Sequence, residues 1–422
     1  MPNSDRLAID GGRPVCPEPI PTSPHGAAEI GEPEKQAVLR VLEKRRVFRF
    51  LQEGIEGSET AALEARYAER LGVRHTLAVN SGTSALIAGL AGIALEPGDE
   101  VVIPAYTFIA TAAAVLAVRA IPVLCEVDAS LTMDPEDLCR CITPRTRAVI
   151  PVHMRGFPCR MREILSIAKE HNLVVVEDVA QANGATYRGT PLGALGEVGC
   201  FSFQHYKIIT SGEGGLVATN DEKVFSRART QHDCASRYWL NTQEEIYDVY
   251  GEDYRMSELA AALVLAQMDR LDGLLRRFRS CKQRIADGLA GIDGIQLAPS
   301  ADPEGDAGIA VVFYTENAEL SRRFAQALEA EGVSCGTIYN RGIPDRHIYC
   351  YWPFVNRHPT EGKVCPWTCG CTTAAVRYSP DMCPKTLDYL GRAISLHIHQ
   401  RLTDTHCDRM VEAARKVARA LA

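Results

Sequence analysis

Three short segments of the sequence carry residue types that could hold a phosphorylated carbonyl compound and react with it. In the first, residues 80–86, a predicted strand ends in a tight turn with Gly82 and a helix begins. Free backbone N–H groups and the helix dipole favour a phosphate there, and the hydroxyls of Ser81 and Thr83 can add donors. The same Ser-Gly-Thr-Ser run is also a competent helix N-cap, so both interpretations stay open for this segment taken alone.

The second segment places two acids, Glu177 and Asp178, directly after the apolar run 173–176. A buried carboxylate is costly unless a cation meets it. Because side chains alternate along a strand, only one of the two acids can face a shared ligand. The alternative is that Asp178 caps the following helix in contact with solvent.

The third segment holds Lys207, which lies between an apolar run that begins at Phe201 and the glycine-rich turn 210–215. Because Ile208 and Ile209 follow it, we expect its amine to be partly desolvated. Burial lowers the pKa of a lysine and makes the neutral amine available for Schiff-base chemistry. A lone lysine is more often a surface charge, so Lys207 is of interest because of the other two segments.

Together the segments supply a phosphate site, a carboxylate and an amine that can form a Schiff base. Pyridoxal 5'-phosphate (PLP) needs all three: an anchor for its phosphate, a partner for its pyridinium nitrogen and a lysine for its aldehyde. An aromatic side chain could stack on the ring, and Tyr106 and Phe108 follow the predicted strand 101–103. The sequence therefore predicts a PLP site.

A sheet whose strands end at a common edge must position these segments. From about residue 34, apolar runs typical of buried strands alternate with segments of helical periodicity. This pattern predicts an α/β fold with a mostly parallel sheet covered by helices on both faces. The predicted strands are 75–79, 101–103, 121–127, 148–152, 173–176 and 215–218, and the predicted helices include 59–71, 84–93 and 160–171.

A second, smaller unit follows the long amphipathic segment 257–289. Its predicted elements are strand 309–314, helix 320–331, strand 333–338 and a final helix from Asp404 onward. We therefore predict a large domain over residues 1–275 and a small C-terminal α/β domain over residues 276–422. Residues 1–30 are rich in Pro and Gly and aperiodic, which predicts an arm that lies over the surface or over a partner subunit.

The composition disfavours several classes of protein. The 422 residues carry 46 Lys+Arg and 53 Asp+Glu, a formal net charge of −7. Nucleic-acid and membrane-surface proteins usually carry clustered positive charge, so neither partner is expected. The sequence starts without the apolar segment of a secretory signal, and its apolar stretch 109–118 is about half as long as a membrane span.

The 15 cysteines, an odd number, predict free thiols in a reducing, cytoplasmic compartment. Five of them fall late in the chain, at Cys350, Cys365, Cys369, Cys371 and Cys383. Their spacing lacks the paired C-x2-C knuckles of a structural zinc site, so we predict no metal.

The motifs and their order resemble the DegT/StrS family of sugar and cyclitol aminotransferases, which are fold-type I PLP enzymes. The similar pieces are residues 80–86, 104–111, 151–153, 177–182, 201–215 and 254–258, with a weaker likeness beyond. The resemblance implies a seven-stranded type of large domain, a smaller C-terminal domain and a homodimer with shared active sites.

The resemblance also implies roles for individual residues. Lys207 matches the Schiff-base lysine, and Asp178 matches the partner of the pyridinium nitrogen. Gln181 matches the residue near the phenolic oxygen, and Phe108 matches the stacking aromatic. The phosphate-binding residues that the resemblance implies are Gly82, Thr83 and Ser202.

One position departs from the family pattern. An asparagine usually precedes Tyr-Arg-Met and reaches the phosphate of the partner subunit, whereas this chain has Asp253. A carboxylate beside a dianionic phosphate repels it. Asp253 therefore points away, is protonated, or belongs to a rearranged contact between subunits.

The implied activity moves an amino group from L-glutamate or L-glutamine to a keto sugar or ketocyclitol, in the biosynthesis of an aminoglycoside-like or amino-sugar secondary metabolite. We expect the polar stretch 340–347 to contact that acceptor. The alternative is elimination or dehydration on the same fold, in which related enzymes replace the lysine with histidine. Here Lys207 is present, although His205 lies two residues away.

Two other classes fit less well. A non-catalytic binding or regulatory protein has no reason to keep the complete pair of Lys207 and Asp178. A nicotinamide enzyme is disfavoured because Gly193, Gly196 and Gly199 have the wrong spacing for a G-x-G-x-x-G turn.

Overall fold

The computed structural model describes residues 6–50, 56–235, 238–239, 249–338, 344–356 and 377–421. The large sheet has seven strands, and a smaller three-stranded sheet and a two-stranded hairpin accompany it. The strands are β1 (His75–Val79), β2 (Glu100–Pro104), β3 (Ile121–Cys125), β4 (Thr146–Val149), β5 (Val174–Asp178), β6 (Thr186–Tyr187), β7 (Thr190–Pro191), β8 (Val198–Ser202), β9 (Gly215–Thr219), β10 (Gln296–Leu297), β11 (Ala310–Tyr314) and β12 (Ala393–His397).

The described helices lie between and after these strands. They are α1 (Glu32–Glu43), α2 (Glu59–Leu71), α3 (Gly82–Gly92), α4 (Ala110–Ala117), α5 (Pro135–Cys141), α6 (Met161–Glu170), α7 (Glu222–His232), α8 (Glu258–Met268), α9 (Leu271–Leu289), α10 (Ala318–Ala330), α11 (Pro353–Asn356), α12 (Pro384–Arg392) and α13 (Asp404–Leu421). Among them, no helix combines the length and the hydropathy that a membrane crossing requires.

The seven-stranded sheet has the order β1-β9-β8-β5-β4-β2-β3. Strand β9 runs antiparallel to both of its neighbours, and the other neighbouring pairs are parallel. The predicted mostly parallel α/β sheet is therefore confirmed. Its parallel strands bring their carboxyl ends to one edge, which is where ligands bind in open α/β sheets.

Alternation along the apolar strands builds a core on each face of this sheet. Val102 packs in one core, together with Leu63 of α2, while its neighbours Val101 and Ile103 pack in the other, together with Ala85 of α3. Because both faces are covered, these strands are apolar throughout rather than alternately polar. The helices on both faces thus follow from the composition of the strands.

The small sheet differs from the prediction. Residues 333–338 form no strand, and Gly336 makes only a single bridge, to Ser395. Strand β11 pairs instead with β12 in antiparallel register, and β10 lies on its other side. The prediction was wrong here because strand pairing across some 80 residues leaves no local pattern to read.

Other elements follow the prediction more closely. The amphipathic segment 257–289 is divided into α8 and α9, and the final helix from Asp404 is confirmed as α13. The proposed domain boundary at residue 275 falls inside α9 and stays a prediction.

The N-terminal arm packs on the turn that follows α10. The Glu331 carboxylate accepts hydrogen bonds from the backbone N–H groups of Ala8 and Val15, each at 2.8 Å, and forms an ion pair with Lys416. Through Glu331, the arm is therefore linked to Lys416 in the last helix, α13.

Glu177 and Asp178, the two adjacent acids, face opposite ways at the end of β5. The buried Glu177 carboxylate accepts hydrogen bonds from the backbone N–H groups of Gly193 at 2.9 Å, Leu195 at 2.7 Å and Gly196 at 2.7 Å. The ring Nε2 of His153 lies 3.2 Å from the same carboxylate. Glu177 thus fixes the loop before β8, which leaves Asp178 to face the sheet edge, as the alternation requires.

Replacing Glu177 with Ala should lower the free energy of unfolding by about 3 kcal/mol or more, because buried N–H groups lose their acceptor. The measurement is urea unfolding of the cofactor-free protein. Glu170→Ala, at the exposed end of α6, is the matched control and should change stability by less than about 0.5 kcal/mol. Equal losses in the two variants would contradict this role of Glu177.

Candidate active site

The predicted site residues meet at the carboxyl edge of the large sheet. Gly82 follows β1, Phe108 follows β2, Asp178 ends β5 and Ser202 ends β8, with Lys207 in the loop after it. Residues distant in the sequence are therefore neighbours because their strands are parallel.

The start of α3 forms a cradle against the end of β8. A Cβ atom on Gly82 would lie 2.7 Å from Ser202 Cβ and 2.9 Å from Ser202 Oγ, so only glycine permits this approach. Ser81 Oγ accepts the N–H of Ser84 at 3.0 Å and caps the helix. The N–H groups of Gly82 and Thr83 have no acceptor among the described residues. Capping and anion binding are thus compatible here, and the free donors suit a phosphate.

Asp178 is buried, and both of its carboxylate oxygens accept hydrogen bonds. Thr111 Oγ1 donates to Oδ2 at 3.0 Å, and the backbone N–H of Ala180 donates to Oδ1 at 3.0 Å. Burial raises the pKa of the carboxyl group, although these bonds and the charge of Lys207 work against the rise. A cationic ring nitrogen placed beside Asp178 would offset the desolvation that the carboxylate has undergone.

Lys207 has a partly buried side chain whose amine lies within the electrostatic reach of Asp178. Burial lowers the pKa of the amine, and the negative charge of Asp178 recovers part of that loss. The expected desolvation is therefore present. It favours the neutral amine, which is the nucleophilic form.

The backbone of Lys207 is held from two sides. Its N–H donates to Gln204 O at 2.9 Å, and its carbonyl oxygen accepts the N–H of Gly26 at 2.9 Å. A Cβ atom on Gly26 would lie 2.8 Å from Ile209 Cα, so the arm packs tightly on this loop. The ring of His25 lies between two carbonyl oxygens, with Nε2 2.7 Å from Ile398 O and Nδ1 3.3 Å from Tyr206 O, and the shorter contact suits the single N–H of a neutral ring.

Gln181 joins the edge of the sheet to a further basic residue. Its Oε1 accepts the backbone N–H of Arg155 at 3.0 Å. The side chain of Arg155 extends to the hydroxyl of Tyr106, on the loop after β2, and to that of Ser395 on β12.

Phe108 is 48% exposed, and its ring centroid lies 5.2 Å from that of His347. An exposed ring at this edge is free to take a stacking partner. His205 is exposed and contacts the ring of Tyr206. Of the polar stretch 340–347, residues 340–343 lie outside the described part of the chain.

Asp253 is exposed, and its carboxylate is engaged within its own chain. Its Oδ2 lies 2.6 Å from a guanidinium nitrogen of Arg255, which also binds Asp233 at 2.8 Å. Asp253 carries a negative charge where the family pattern has a neutral asparagine, and Arg255 pairs with that charge.

Sequence reasoning gave no role to Thr111, Arg155 or His25. Thr111 had a weak signal, because Thr107 precedes it by four residues in the sequence, and in the structure the two hydroxyls are 2.7 Å apart. Arg155 and His25 had none, since their contacts depend on how distant segments pack.

One thiol cluster in the described residues has metal-ligand geometry, formed by Cys125, Asp137 and Cys141. Asp137 Oδ2 already accepts the N–H of Glu126 at 2.6 Å, and Asp137 also pairs with Arg140. These internal bonds use the carboxylate, so the cluster gives no reason to add a metal. The late cysteines Cys365, Cys369 and Cys371 lie outside the described residues.

Replacing Asp178 with Asn should lower the pKa of the Lys207 amine further, because the charge that favours the ammonium form is removed. The measurement is the pH dependence of adduct formation with pyridoxal, trapped by borohydride and located at Lys207 by peptide mass. The midpoint should move to lower pH in the variant. Asp269→Asn, at an exposed acid, should leave it unchanged, and an unmoved or raised midpoint in Asp178→Asn would contradict the coupling.

A profile of the DegT/DnrJ/EryC1/StrS aminotransferase family matches residues 30–357. GDP-perosamine synthase from Caulobacter vibrioides is 43% identical over 214 residues, which are 50% of this chain and 56% of that enzyme. L-glutamine:2-deoxy-scyllo-inosose aminotransferase from Streptomyces lividus is 36% identical over 293 residues, covering 67% of this chain and 68% of that one.

The fold is similar to that of a solved structure over nearly all of its length. The aminotransferase from Psychrobacter cryohalolentis superposes with a TM-score of 0.78 at 27% identity, covering 93% of this chain and 98% of that one. The large sheet and the small sheet therefore occur together in a known aminotransferase architecture.

Proposed function

Because the chain belongs to the DegT/DnrJ/EryC1/StrS aminotransferase family and is a PLP-dependent enzyme, we propose that it moves an amino group from L-glutamate or L-glutamine to a keto sugar or ketocyclitol. The observation that carries this proposal is the meeting of Lys207, Asp178 and the cradle at Gly82 on one sheet edge. Each of the three has an ordinary structural explanation alone, and together they match what PLP requires.

The residues present fit the cofactor. The free N–H groups of Gly82 and Thr83 and the hydroxyl of Ser202 would hold its phosphate. Asp178 would hold the proton of the pyridinium nitrogen, which suits a buried carboxylate that lacks a hydrogen-bonded cation among the described residues. The cofactor supplies an electron sink for the bond broken at the α-carbon of the substrate. Phe108 would stack on its ring.

Two further residues complete the proposed machinery. Lys207 would bind the aldehyde covalently and, once released by the donor, move a proton between the α-carbon and the cofactor carbon. The lowered pKa of Lys207 shifts its amine toward the neutral form that both tasks require. Gln181 would lie near the phenolic oxygen, held in place by the N–H of Arg155.

The class of acceptor is supported by the relatives. One similar enzyme is named for a nucleotide-linked amino sugar, and another is named for a cyclitol and for L-glutamine. We therefore assign this chain to amino-sugar or aminoglycoside-like biosynthesis. The twelve cysteines in the described part of the chain are free thiols, which suits a cytoplasmic enzyme.

Lys207→Ala should abolish the absorption of the bound cofactor and lower turnover at least about a thousandfold, because both the covalent attachment and the proton carrier are lost. The measurement is the visible spectrum together with amino transfer to a panel of keto sugars and ketocyclitols. Lys169→Ala, at an exposed position on α6, is the control and should behave like the wild type. Turnover retained in Lys207→Ala would end the proposal.

The same assay separates transfer from elimination on this fold. In amino transfer, the donor alone converts the cofactor to its amine form in stoichiometric amount. An eliminating enzyme would leave the cofactor as the aldehyde and release a dehydrated product.

The proposed assembly is a homodimer in which the loop with Asp253 and Arg255 approaches the phosphate of the partner subunit. Tyr206, an exposed aromatic residue next to Lys207, suits an interface there. Light scattering after size-exclusion chromatography measures the mass, and a monomer would contradict the assembly.

Arg255→Gln should weaken PLP binding about tenfold, because the Asp253 carboxylate then faces the partner's phosphate without its counter-charge. Cofactor titration by absorbance measures the effect. The double variant Asp253→Asn/Arg255→Gln is the matched control and should recover most of the affinity. If the double variant binds as weakly as Arg255→Gln, the repulsion is not the cause.

A further inference from the structure

A narrow cleft beside the proposed cofactor site contains an arginine that the proposed mechanism uses only through its backbone. The cleft lies between the loop after β2 and strand β12, and Tyr106, Arg155, Asp345 and Ser395 are among the residues that line it. The guanidinium of Arg155 donates from Nε to Tyr106 Oη at 2.8 Å and from Nη1 to Ser395 Oγ at 3.2 Å.

The charge of this guanidinium is not matched by a hydrogen-bonded carboxylate. Both of its side-chain acceptors are neutral hydroxyls, and its Nη2 has no hydrogen-bond partner in the described part of the chain. Asp345 is near enough to interact electrostatically, but its Oδ1 is bound to the N–H of His347 at 3.0 Å and to His347 Nδ1 at 2.7 Å. The forked guanidinium therefore keeps a donor for an incoming anion.

The backbone of Arg155 is held in an unfavourable conformation. Its φ is 53° and its ψ is 25°, in the left-handed region that a long side chain rarely adopts. Gly156 follows with φ 82°, and a Cβ atom there would lie 2.8 Å from Ala307 Cβ, so the packing fixes this turn. The packing around Gly156 therefore holds the turn that positions Arg155.

The same turn connects Arg155 to the proposed position of the cofactor ring. Its N–H binds Gln181, whose proposed place is beside the phenolic oxygen. An amino donor must bring its amino group to the cofactor carbon next to that oxygen. Its α-carboxylate is attached one carbon away and must therefore lie close to the same side of the site.

We propose that Arg155 binds the α-carboxylate of the amino donor and so determines that the donor is an α-amino acid. This inference rests on the proposed function. The cleft is small, and its lining offers the free guanidinium donor of Arg155 beside the neutral hydroxyls of Tyr106 and Ser395. When the donor has left, Tyr106 and Ser395 still accept hydrogen bonds from the guanidinium, so Arg155 keeps two partners in the empty site.

The test uses the holoenzyme and two donors that differ only in the carboxylate. These are L-glutamine and 4-aminobutanamide, the same molecule without its α-carboxylate. Arg155→Met should lower kcat/KM for L-glutamine in the donor half-reaction about a hundredfold, and it should leave the slow reaction with 4-aminobutanamide unchanged. Arg155→Lys should recover part of the loss. Arg162→Met, at an exposed arginine on α6, is the control for the charge change and should match the wild type.

The outcomes separate the inference from the function on which it rests. If the wild type binds no PLP or reacts with neither donor, the proposed function fails. If the wild type reacts but Arg155→Met keeps its full preference for L-glutamine, the function stands and the role of Arg155 is overturned. Equal losses with both donors would also overturn it, because Arg155 would then act only by positioning Gln181 or Tyr106.

Discussion

The structure depends on the placement of one amine and one carboxylate in the same desolvated edge of a parallel sheet. Burial lowers the pKa of Lys207 and raises that of Asp178, so the surroundings disfavour the charged form of each. Their mutual attraction works the other way and keeps them as partners. A third group can relieve both desolvated residues. A cationic heterocycle would pair with the carboxylate of Asp178, and an aldehyde would react with the amine of Lys207. A cofactor that brings both groups would fit this pair of residues.

Neighbouring residues divide the structural and chemical work at this edge. Glu177 faces the loop before β8, and its carboxylate accepts hydrogen bonds from backbone N–H groups there. Asp178, one position later, remains directed at the site. Ser81 caps α3 while the next two N–H groups stay free. In both places the period of the strand or helix assigns adjacent residues to different tasks. A shift of one residue would exchange those tasks and destroy the site.

The sequence was sufficient to predict a mostly parallel α/β sheet, because long apolar strands and glycine turns are local signals, although β8 was not among the predicted strands. For the same reason it placed Gly82 and Asp178 directly after predicted strands, and the roles of these residues and of Lys207 stay predictions. It failed at residues 333–338 and gave Arg155 no role, since both depend on β12, a strand far away in the chain. The ion pair between Asp253 and Arg255 could not be predicted from the sequence either. The two residues are close in sequence, but the orientation of Arg255 depends on its second partner, Asp233. What sequence patterns cannot supply is the packing of one distant segment against another.

The N-terminal arm packs on the loop that contains Lys207, and this contact has a consequence for how the chain folds during synthesis. His25 bonds to the carbonyl oxygen of Ile398, 373 positions later, and Gln400 Nε2 bonds back to His25 O at 2.6 Å. Gly26 in turn bonds to the carbonyl oxygen of Lys207. On the ribosome, the beginning of the chain must wait for almost the last residues before this three-way junction can close. The loop that contains Lys207 consequently receives its final support late in synthesis, after the large sheet has had time to assemble.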